Sequence, residues 1–553
     1  MGLFEQFPYS NFHDLNLDWL LRIVKEIAGK VDSLEGDIDQ AIIDAINSGE
    51  FDSIIDQILL GQKLSIYDTF ADIPTSDLEE GDIVMIRGFY AKGDGGEAIY
   101  QVESGAYPSN GTYDFRVLSD RVKPKQCGVF GDGFTDNTAG LSAILAHYDK
   151  IDLDGDIYIV KTALALRTGM DIEGSGANMT QPITSSNSFF TGNGRNNVRI
   201  ANINFIGCAS PGATYHAISC INADGTVIED CTFTTGYGYV IRLSGNTNGI
   251  VRRCKFTDID GSAGNPGGCV YMQGGSDMIF EDLKAKRIQD HVIYLDGSVA
   301  IVRCIVNLCT SEDVQNPLTN AACVVCYGDV SHVTINDCAC INGVVGFQVS
   351  DRNNNMPYYI TFNDCYTRNC SQDGFHINGE NIATPSDRDI IIRGGQVVNG
   401  GQDGVGIRKA YRTIIDGLRV SGCARNGVSI SESVGCSVLN CSFQNCDTAV
   451  TLGYPNDTNW CSVINCITRN SVTYGYYNRG ASANNRFINS VSLTGDSQQF
   501  GSAIVLVPTD YRSIRFGSAA PTSGYHAAGD IYFDITGATS GWRCTVSGVP
   551  GTW

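Results

Sequence analysis

Asp296, Glu312, Asp313, Asp351 and Glu380 fall in one stretch of the chain that also carries regularly spaced Tyr, Gln, Asn, His and Arg. Paired carboxyls of this kind serve glycoside hydrolysis, standing about 5 Å apart for retention and roughly 6.5 to 9.5 Å apart for inversion. His376 with Arg352 or Arg408 offers a second chemistry, proton abstraction beside a neutralised uronate, as a lyase requires. Hydrolysis is the favoured reading and elimination the alternative. Asp373-Gly-Phe-His376 and Asp403-Gly-Val-Gly406 repeat one pattern in successive segments, and that pattern reads as Asp-Gly turns in preference to an acid and a base.

What must position these groups is a repeated short strand with two apolar residues separated by one. The pairs are Ile241/Leu243, Val270/Met272, Ile293/Leu295, Val324/Cys326, Phe347/Val349, Phe375/Ile377, Val405/Ile407, Val428/Ile430 and Val450/Leu452. Alternation sends these inward and their neighbours outward. The outward pairs are Arg242/Ser244, Tyr271/Gln273, Tyr294/Asp296, Val325/Tyr327, Gln348/Ser350, His376/Asn378, Gly406/Arg408, Ser429/Ser431 and Thr451/Gly453. Stacked rungs lie ~4.8 Å apart and next-nearest rungs about twice that, so either carboxyl spacing is within reach. Asp296 stands on the ladder, whereas Glu312, Asp313, Asp351 and Glu380 are expected on flanking segments that lean over it.

Exposed Tyr among amides and carboxylates suits an elongated polyol: rings pack on sugar faces and polar groups bond hydroxyls. Tyr271, Gln273, Tyr294, Tyr327, Gln348, His376, Asn378 and Arg408 are therefore the expected glycan-binding set. A plain solvated sheet face is the alternative, since Tyr and Thr favour strands anyway. Insertions at 309–320, 350–358 and 378–387 border this face, and loops on a rigid scaffold commonly carry sites.

The cysteines point to the same architecture. Twenty-one are present, and many follow an apolar residue and an Asn or Asp: Ile228-Glu-Asp-Cys231, Val251-Arg-Arg-Cys254, Val302-Arg-Cys304, Ile335-Asn-Asp-Cys338, Phe362-Asn-Asp-Cys365, Leu439-Asn-Cys441 and Ile464-Asn-Cys466. A repeat of about 20 to 35 residues means stacked coils. The expected result is a buried column of free thiols. Cys323-Val-Val-Cys326 has a metal-ligand spacing, but strand alternation is expected to send its sulfurs to opposite faces. The sequence therefore calls for no metal and no cofactor.

The charge narrows the partners. With 60 acidic against 38 basic residues the net charge is −22, which opposes the phosphate contacts of nucleic-acid binding. No run approaches 18 apolar residues, and the start lacks a secretory signal, so neither membrane insertion nor export is expected.

At the N-terminus Leu17, Leu20, Val24, Ile27, Val31, Leu34, Ile38, Ala41 and Ala45 form an a/d heptad seam. The preceding Pro8-Tyr-Ser-Asn-Phe-His-Asp-Leu-Asn-Leu-Asp-Trp-Leu-Leu21 resembles the opening of structural proteins of short-tailed phages. Residues Glu80 to Gly96 and Ala98 to Val102 resemble the lead-in module of phage tailspikes. Gly128-Val-Phe-Gly-Asp-Gly-Phe-Thr-Asp-Asn-Thr138, with Leu141, Ile144 and Leu145, is similar to the entry of pectate-lyase-type right-handed β-helices. There Asp132 and Asp136 read as turn and cap residues, and a short helix covers the open apolar end. Phe516 to Gly524, Ala528 to Asp534 and Gly541 to Trp553 resemble the ending of phage fibres and spikes, with Trp542 and Trp553 expected in its small core.

The expected organisation is a docking peptide and coiled-coil helix at 1–62, a β-rich lead-in at 63–125, a right-handed parallel β-helix at 126–507 and a small β module at 508–553. The resemblance to phage tailspike and appendage proteins implies a homotrimer, attached to the tail or neck of the virion through its N-terminal segment and assembled in the host cytoplasm. It also implies binding of host surface glycan and its depolymerisation. The alternatives are a non-catalytic adhesive fibre and a secreted pectate-lyase-type enzyme. The polygalacturonase motif set is absent as such, so no catalytic residue is carried over from that family.

Overall fold

The computed structural model describes residues 64–553 apart from 182–187, 208–215, 262–266, 315–320, 353, 380–388, 454–457, 479–483, 493–496, 500–503, 508–511, 518–530, 535–541 and 544–553, and from 491 onward it describes backbone alone. The heptad helix, Glu380 and Trp553 lie outside the described residues, and Trp542 is described as backbone in the short strand Trp542–Arg543. The chain divides into two compact units, Met1–Val129 and Phe130–Trp553.

In the first unit Leu64–Tyr67 pairs parallel with Ile83–Ile86, and Ala98–Val102 and Phe115–Val117 continue the sheet antiparallel. Its core is aromatic: Phe70 stacks on Phe89 at 4.6 Å and meets Tyr100 and Phe115 edge-on.

The second unit is a parallel β-solenoid with three faces. Each coil supplies a ladder strand, such as Val270–Ser276, then a second-face strand, such as Ile279–Glu281, then a third-face strand, such as Lys284–Ile288. Third-face strands stack into a 15-stranded sheet. The other two faces merge into one sheet because Ile293–Asn307 and Ala322–Asn336 run unbroken through the corner between them. At the entry, helix Thr138–His147 buries Leu141, Ile144 and Leu145. Asp132 accepts the amides of Phe134 (2.8 Å) and Thr135 (2.7 Å), and Asp136 accepts the Thr138 amide at the helix start (3.1 Å), the turn and cap roles expected of them.

The corner between second and third faces turns on one left-handed residue per coil. Asp230, Arg253, Asp282, Leu308, Asp337, Asp364, Asn440 and Asn465 hold φ of 49–55°, and Gly394 and Gly417 take the same place. Asn and Asp tolerate this region because their short side chains bond locally, and glycine has no Cβ to clash.

In seven of these coils the next residue is a buried cysteine, Cys231, Cys254, Cys309, Cys338, Cys365, Cys441 or Cys466, whereas Leu283, Gly395 and Leu418 follow Asp282, Gly394 and Gly417. Each thiol lies 3.0–3.5 Å from the carbonyl oxygen two residues back, a second donor to a carbonyl that already accepts the neighbouring coil's corner amide. Ser490 makes the same bond through its hydroxyl at 3.2 Å. Where the position is Cys or Ser, it supplies a small side chain with a donor hydrogen.

Two sequence expectations need correction. Cys304 is not the corner residue of its coil: it lies within Ile293–Asn307, and Cys309 takes the corner after Asn307-Leu308. The apolar-Arg-Cys pattern around Cys304 mimics the corner, but the strand continues past it. Cys323 and Cys326 do not point to opposite faces, since both are fully buried. Cys323 occupies the rung position of Gly346, where a Cβ would meet the buried Thr367 side chain, so strand alternation does not yet apply there.

The interior is filled by like residues in register. Phe205, Phe233 and Phe256 stack at 5.0 Å with planes within 8°, as parallel rungs dictate. Every described cysteine is free and buried, and burial pushes the Cys220 thiol up to about 12. Titration of the native protein with a thiol reagent should therefore label no cysteine other than Cys208 and Cys544, and unfolding in denaturant should release all twenty-one.

Candidate functional site

The ladder stacks in the register its alternation implies. Arg242 pairs with Tyr271, Tyr271 with Tyr294, Tyr294 with Val325, Val325 with Gln348, Gln348 with His376, and His376 with Gly406. The second outward column runs Ser244, Gln273, Asp296, Tyr327, Ser350, Asn378, Arg408. Not every outward residue reaches solvent. Val325, Asp296, Ser350, Ser429 and Thr451 are buried, because larger neighbours close over them.

The neighbours that close over the middle rungs are aromatic. Tyr271 and Tyr294 lie 5.6 Å apart, Tyr239 lies 5.4 Å from Tyr271 and 5.9 Å from Tyr294, and Tyr327 follows at 6.1 Å from Tyr294. Asp296 is knitted into this group. One oxygen accepts the Tyr271 hydroxyl at 2.7 Å; the other accepts the Ser298 amide at 3.0 Å and the Arg352 guanidinium. Arg352 comes from the segment after the ladder strand Val345–Ser350, and its guanidinium carbon also lies 5.5 Å above the Tyr327 ring. Burial, with the Asp296 charge next, pushes the Tyr271 and Tyr294 phenols up.

Beneath the cluster Tyr239 donates its hydroxyl to Asp290 at 2.7 Å. His291 accepts the Ala322 amide at Nδ1 (3.1 Å), which leaves Nε2 toward Asp290 at 3.4 Å. Burial lowers the His291 pKa against the opposing pull of Asp290, so the imidazole is held neutral.

Further along, His376 Nδ1 meets Asp373 at 2.7 Å, and the other Asp373 oxygen accepts the Asp403 amide at 3.0 Å. Asp403 in turn accepts the Asn426 amide (3.0 Å) and its side-chain amide (2.8 Å). Gly406, facing His376, leaves room for this contact, since a Cβ there would come within 2.8 Å of the Asp373 carboxylate. Gln273 donates to Ser298 at 2.8 Å, and Arg408 to Glu432 at 3.2 Å. The Gln348 and Asn378 carbonyl oxygens are buried acceptors with no partner among the described residues.

Of the five carboxylates singled out in the sequence, Asp296 is on the ladder and Asp351 lies buried beside it, its amide donating to Asn378 of the next rung at 3.0 Å. Glu312 and Asp313 do not lean over the ladder: both belong to the third-face strand Thr310–Val314, where Glu312 pairs with Lys286 at 3.0 Å and Asp313 accepts Asn342 at 3.0 Å from a left-handed turn. Spacing along the chain does not tell which of three faces a strand joins. Tyr239, Asp290, Asp373 and Asp403 were not singled out as site residues, although each stands shortly before a ladder strand at the start of its coil. No group of three or more His, Cys, Asp and Glu able to hold a metal occurs among the described residues.

The right-handed beta helix region family matches residues 187–358 and 322–492, together more than half of the sequence, and the chain belongs to that family. No curated protein matches it significantly. Among solved structures it is similar to tailspike protein 3 of bacteriophage CBA120, at 12% identity and TM-score 0.50 over 79% of this chain and 70% of that one. It is also similar to pre-mature gene product 12 of bacteriophage phi29 (15%, TM-score 0.49, 74% of this chain and 61% of that one). A further similarity is to the catalytic domain of a GH87 alpha-1,3-glucanase in complex with nigerose (12%, TM-score 0.45, 67% and 69%). At these identities the likeness is one of fold.

Two outcomes follow from the bonding at the site. In a double-mutant cycle of Asp296→Asn and Arg352→Ala, read by urea unfolding, the pair should couple by about 1–2 kcal/mol, as directly bonded groups do. Burial, then the charge of Asp373, raise the Asp403 carboxyl above its ordinary 3.8. The folded chain thus holds that proton more tightly than the unfolded one, so this group's contribution is largest below 3.8 and is lost as pH rises through the raised value. Asp403→Asn should flatten the fall in unfolding midpoint from about pH 4 toward neutrality.

Proposed function

We propose that this chain is a phage tailspike or appendage protein that binds host cell-surface polysaccharide along its ladder face and depolymerises it. The observation that carries the reading is the tyrosine cluster around the Asp296–Arg352 pair on a rigid parallel sheet. Such rings offer flat apolar faces to sugars, while Gln273, Gln348, Asn378 and His376 supply donors and acceptors at rung spacing. The unpartnered carbonyl oxygens of Gln348 and Asn378 suit ligand hydroxyls, because a buried acceptor without a donor is costly. Tailspike-like lead-in and ending sequences, and the fold shared with a phage tailspike, support a virion setting. The heptad seam supports self-association and the resemblance to tailspikes a homotrimer docked through its N-terminal segment, and three parallel grooves would multiply a weak single-site affinity.

For cleavage, Asp296, Asp351 and Glu380 are the carboxylates to which we assign the hydrolytic roles, with elimination through His376 as the alternative chemistry. An adhesive fibre without catalysis is the second reading, favoured by the engagement of both Asp296 oxygens within the ladder. Purified protein incubated with capsular and wall polysaccharides should retain one of them on a column and shorten it on size exclusion. Asp296→Asn, Asp351→Asn and Glu380→Gln should each preserve retention, and at least one should stop the shortening. Retention without shortening by the unmodified protein establishes the adhesive fibre, and neither effect on any polymer removes the glycan reading.

A further inference from the structure

Resting on the glycan reading, we infer that the groove is built for an anionic polymer, one bearing carboxylate or phosphodiester groups, and that Arg242 is the residue that receives the anion.

Arg242 occupies the outward column one rung before Tyr271 and is half-buried there. Among the described residues its single hydrogen bond is a long one, from Nε to the Ser244 hydroxyl at 3.4 Å. A guanidinium carries five donors in a planar fork that matches carboxylate or phosphate, and part-burying it without an acceptor is unfavourable. The other cations on or beside the ladder are differently placed: Arg352 is paired with Asp296, Arg408 with Glu432 and Arg425 with Asp403.

The residues directly above and below Arg242 in its column supply no counter-charge. Its rung neighbours in the column are Ser219 and Tyr271. The nearby His216 is held down to about 4 by burial and by the positive field of Arg242 itself, so it is neutral at pH 7. In the sequence, the stretches 208–215 and 262–266 contain no Asp or Glu. The carboxylates of the adjoining cluster are already engaged, Asp296 by Arg352 and Tyr271, and Asp290 by Tyr239.

Within a chain of net charge −22, Arg242 stands at the end of the tyrosine row with no ion pair among the described residues. From the Arg242 rung to the Tyr327 rung is three steps, ~14 Å at rung spacing. A glycan lying along the axis would place its charged substituent on Arg242 and its rings over Tyr271, Tyr294 and Tyr327. An acidic protein repels polyanions at long range, and a single fork aimed at one substituent makes binding selective for polymers that carry the charge at the right interval.

The test uses the full-length protein on an array of bacterial surface glycans with three arms: uronate-bearing, phosphodiester-bearing and neutral. Binding is expected in one of the two anionic arms, which identifies the source of the charge. Arg242→Gln should lower affinity for the bound glycans by about tenfold or more, and Arg242→Lys should fall between, keeping the charge but losing the fork. Arg195→Gln, an exposed arginine outside the ladder, should change nothing. An unaltered thermal midpoint for Arg242→Gln keeps the comparison valid, since its side chain makes only the one long bond. Binding confined to neutral glycans, or undiminished binding by Arg242→Gln, overturns the anion assignment while leaving the glycan reading intact. No binding in any arm overturns both.

Discussion

Parallel strands stacked in register demand that every coil return to the same three corners, whatever its length, because each backbone amide bonds the rung before or after it. That closure is the constraint on which the structure rests. It is met in each coil by left-handed residues, and at the corner between the second and third faces that position is held by Asp, Asn or Gly in most coils. Where the residue is Arg253 or Leu308, the ladder carries a less favourable side chain through that conformation and stays in register. The thiol or hydroxyl that follows in many coils adds a second donor to a carbonyl that already accepts the neighbouring coil's corner amide. Backbone pairing and side-chain columns thus meet at the same atoms.

Columns are what convert the scaffold into a site. Because register is rigid, Tyr271, Tyr294 and Tyr327 meet although 23 and 33 residues separate them along the chain, and Arg352 reaches Asp296 two rungs away. The tyrosine contacts need no loop to find their place, and Arg352 comes from the segment just after its strand. The polar groups below the rings, Tyr239 on Asp290 and Asp290 beside His291, remove the freedom that the tyrosines would otherwise have. The face is consequently ordered before any ligand arrives, which lowers the entropy lost on binding.

Much of this was legible in the sequence. The inward and outward pairs from Ile241 to Thr451 follow strict alternation, and alternation is the strongest local signal a half-buried strand gives. Register then follows, since identical strands pair at equivalent positions. What could not be read is the face to which a strand belongs. Glu312 lies in a strand as regular as those of the ladder, yet it sits on the third face. Cys304 imitates a corner because Val302-Arg-Cys shares its letters, whereas the true corner at Cys309 follows Leu308, an unusual left-handed residue. The Asp373–His376 contact joins residues three apart: alternation already sends the His376 imidazole outward, but its bond to Asp373 was not legible, because the Asp-Gly pair reads as a turn from composition alone.

A solenoid of this kind has no contact that spans its length, so each coil feels only its neighbours above and below. A lengthened segment between Asn378 and Ile390, or a new side chain at an outward position, disturbs two interfaces and leaves the remainder untouched. The molecule is therefore divisible in inheritance as it is not in folding. Single coils can be exchanged, duplicated or resurfaced as cassettes, and a change of recognised partner requires no new architecture.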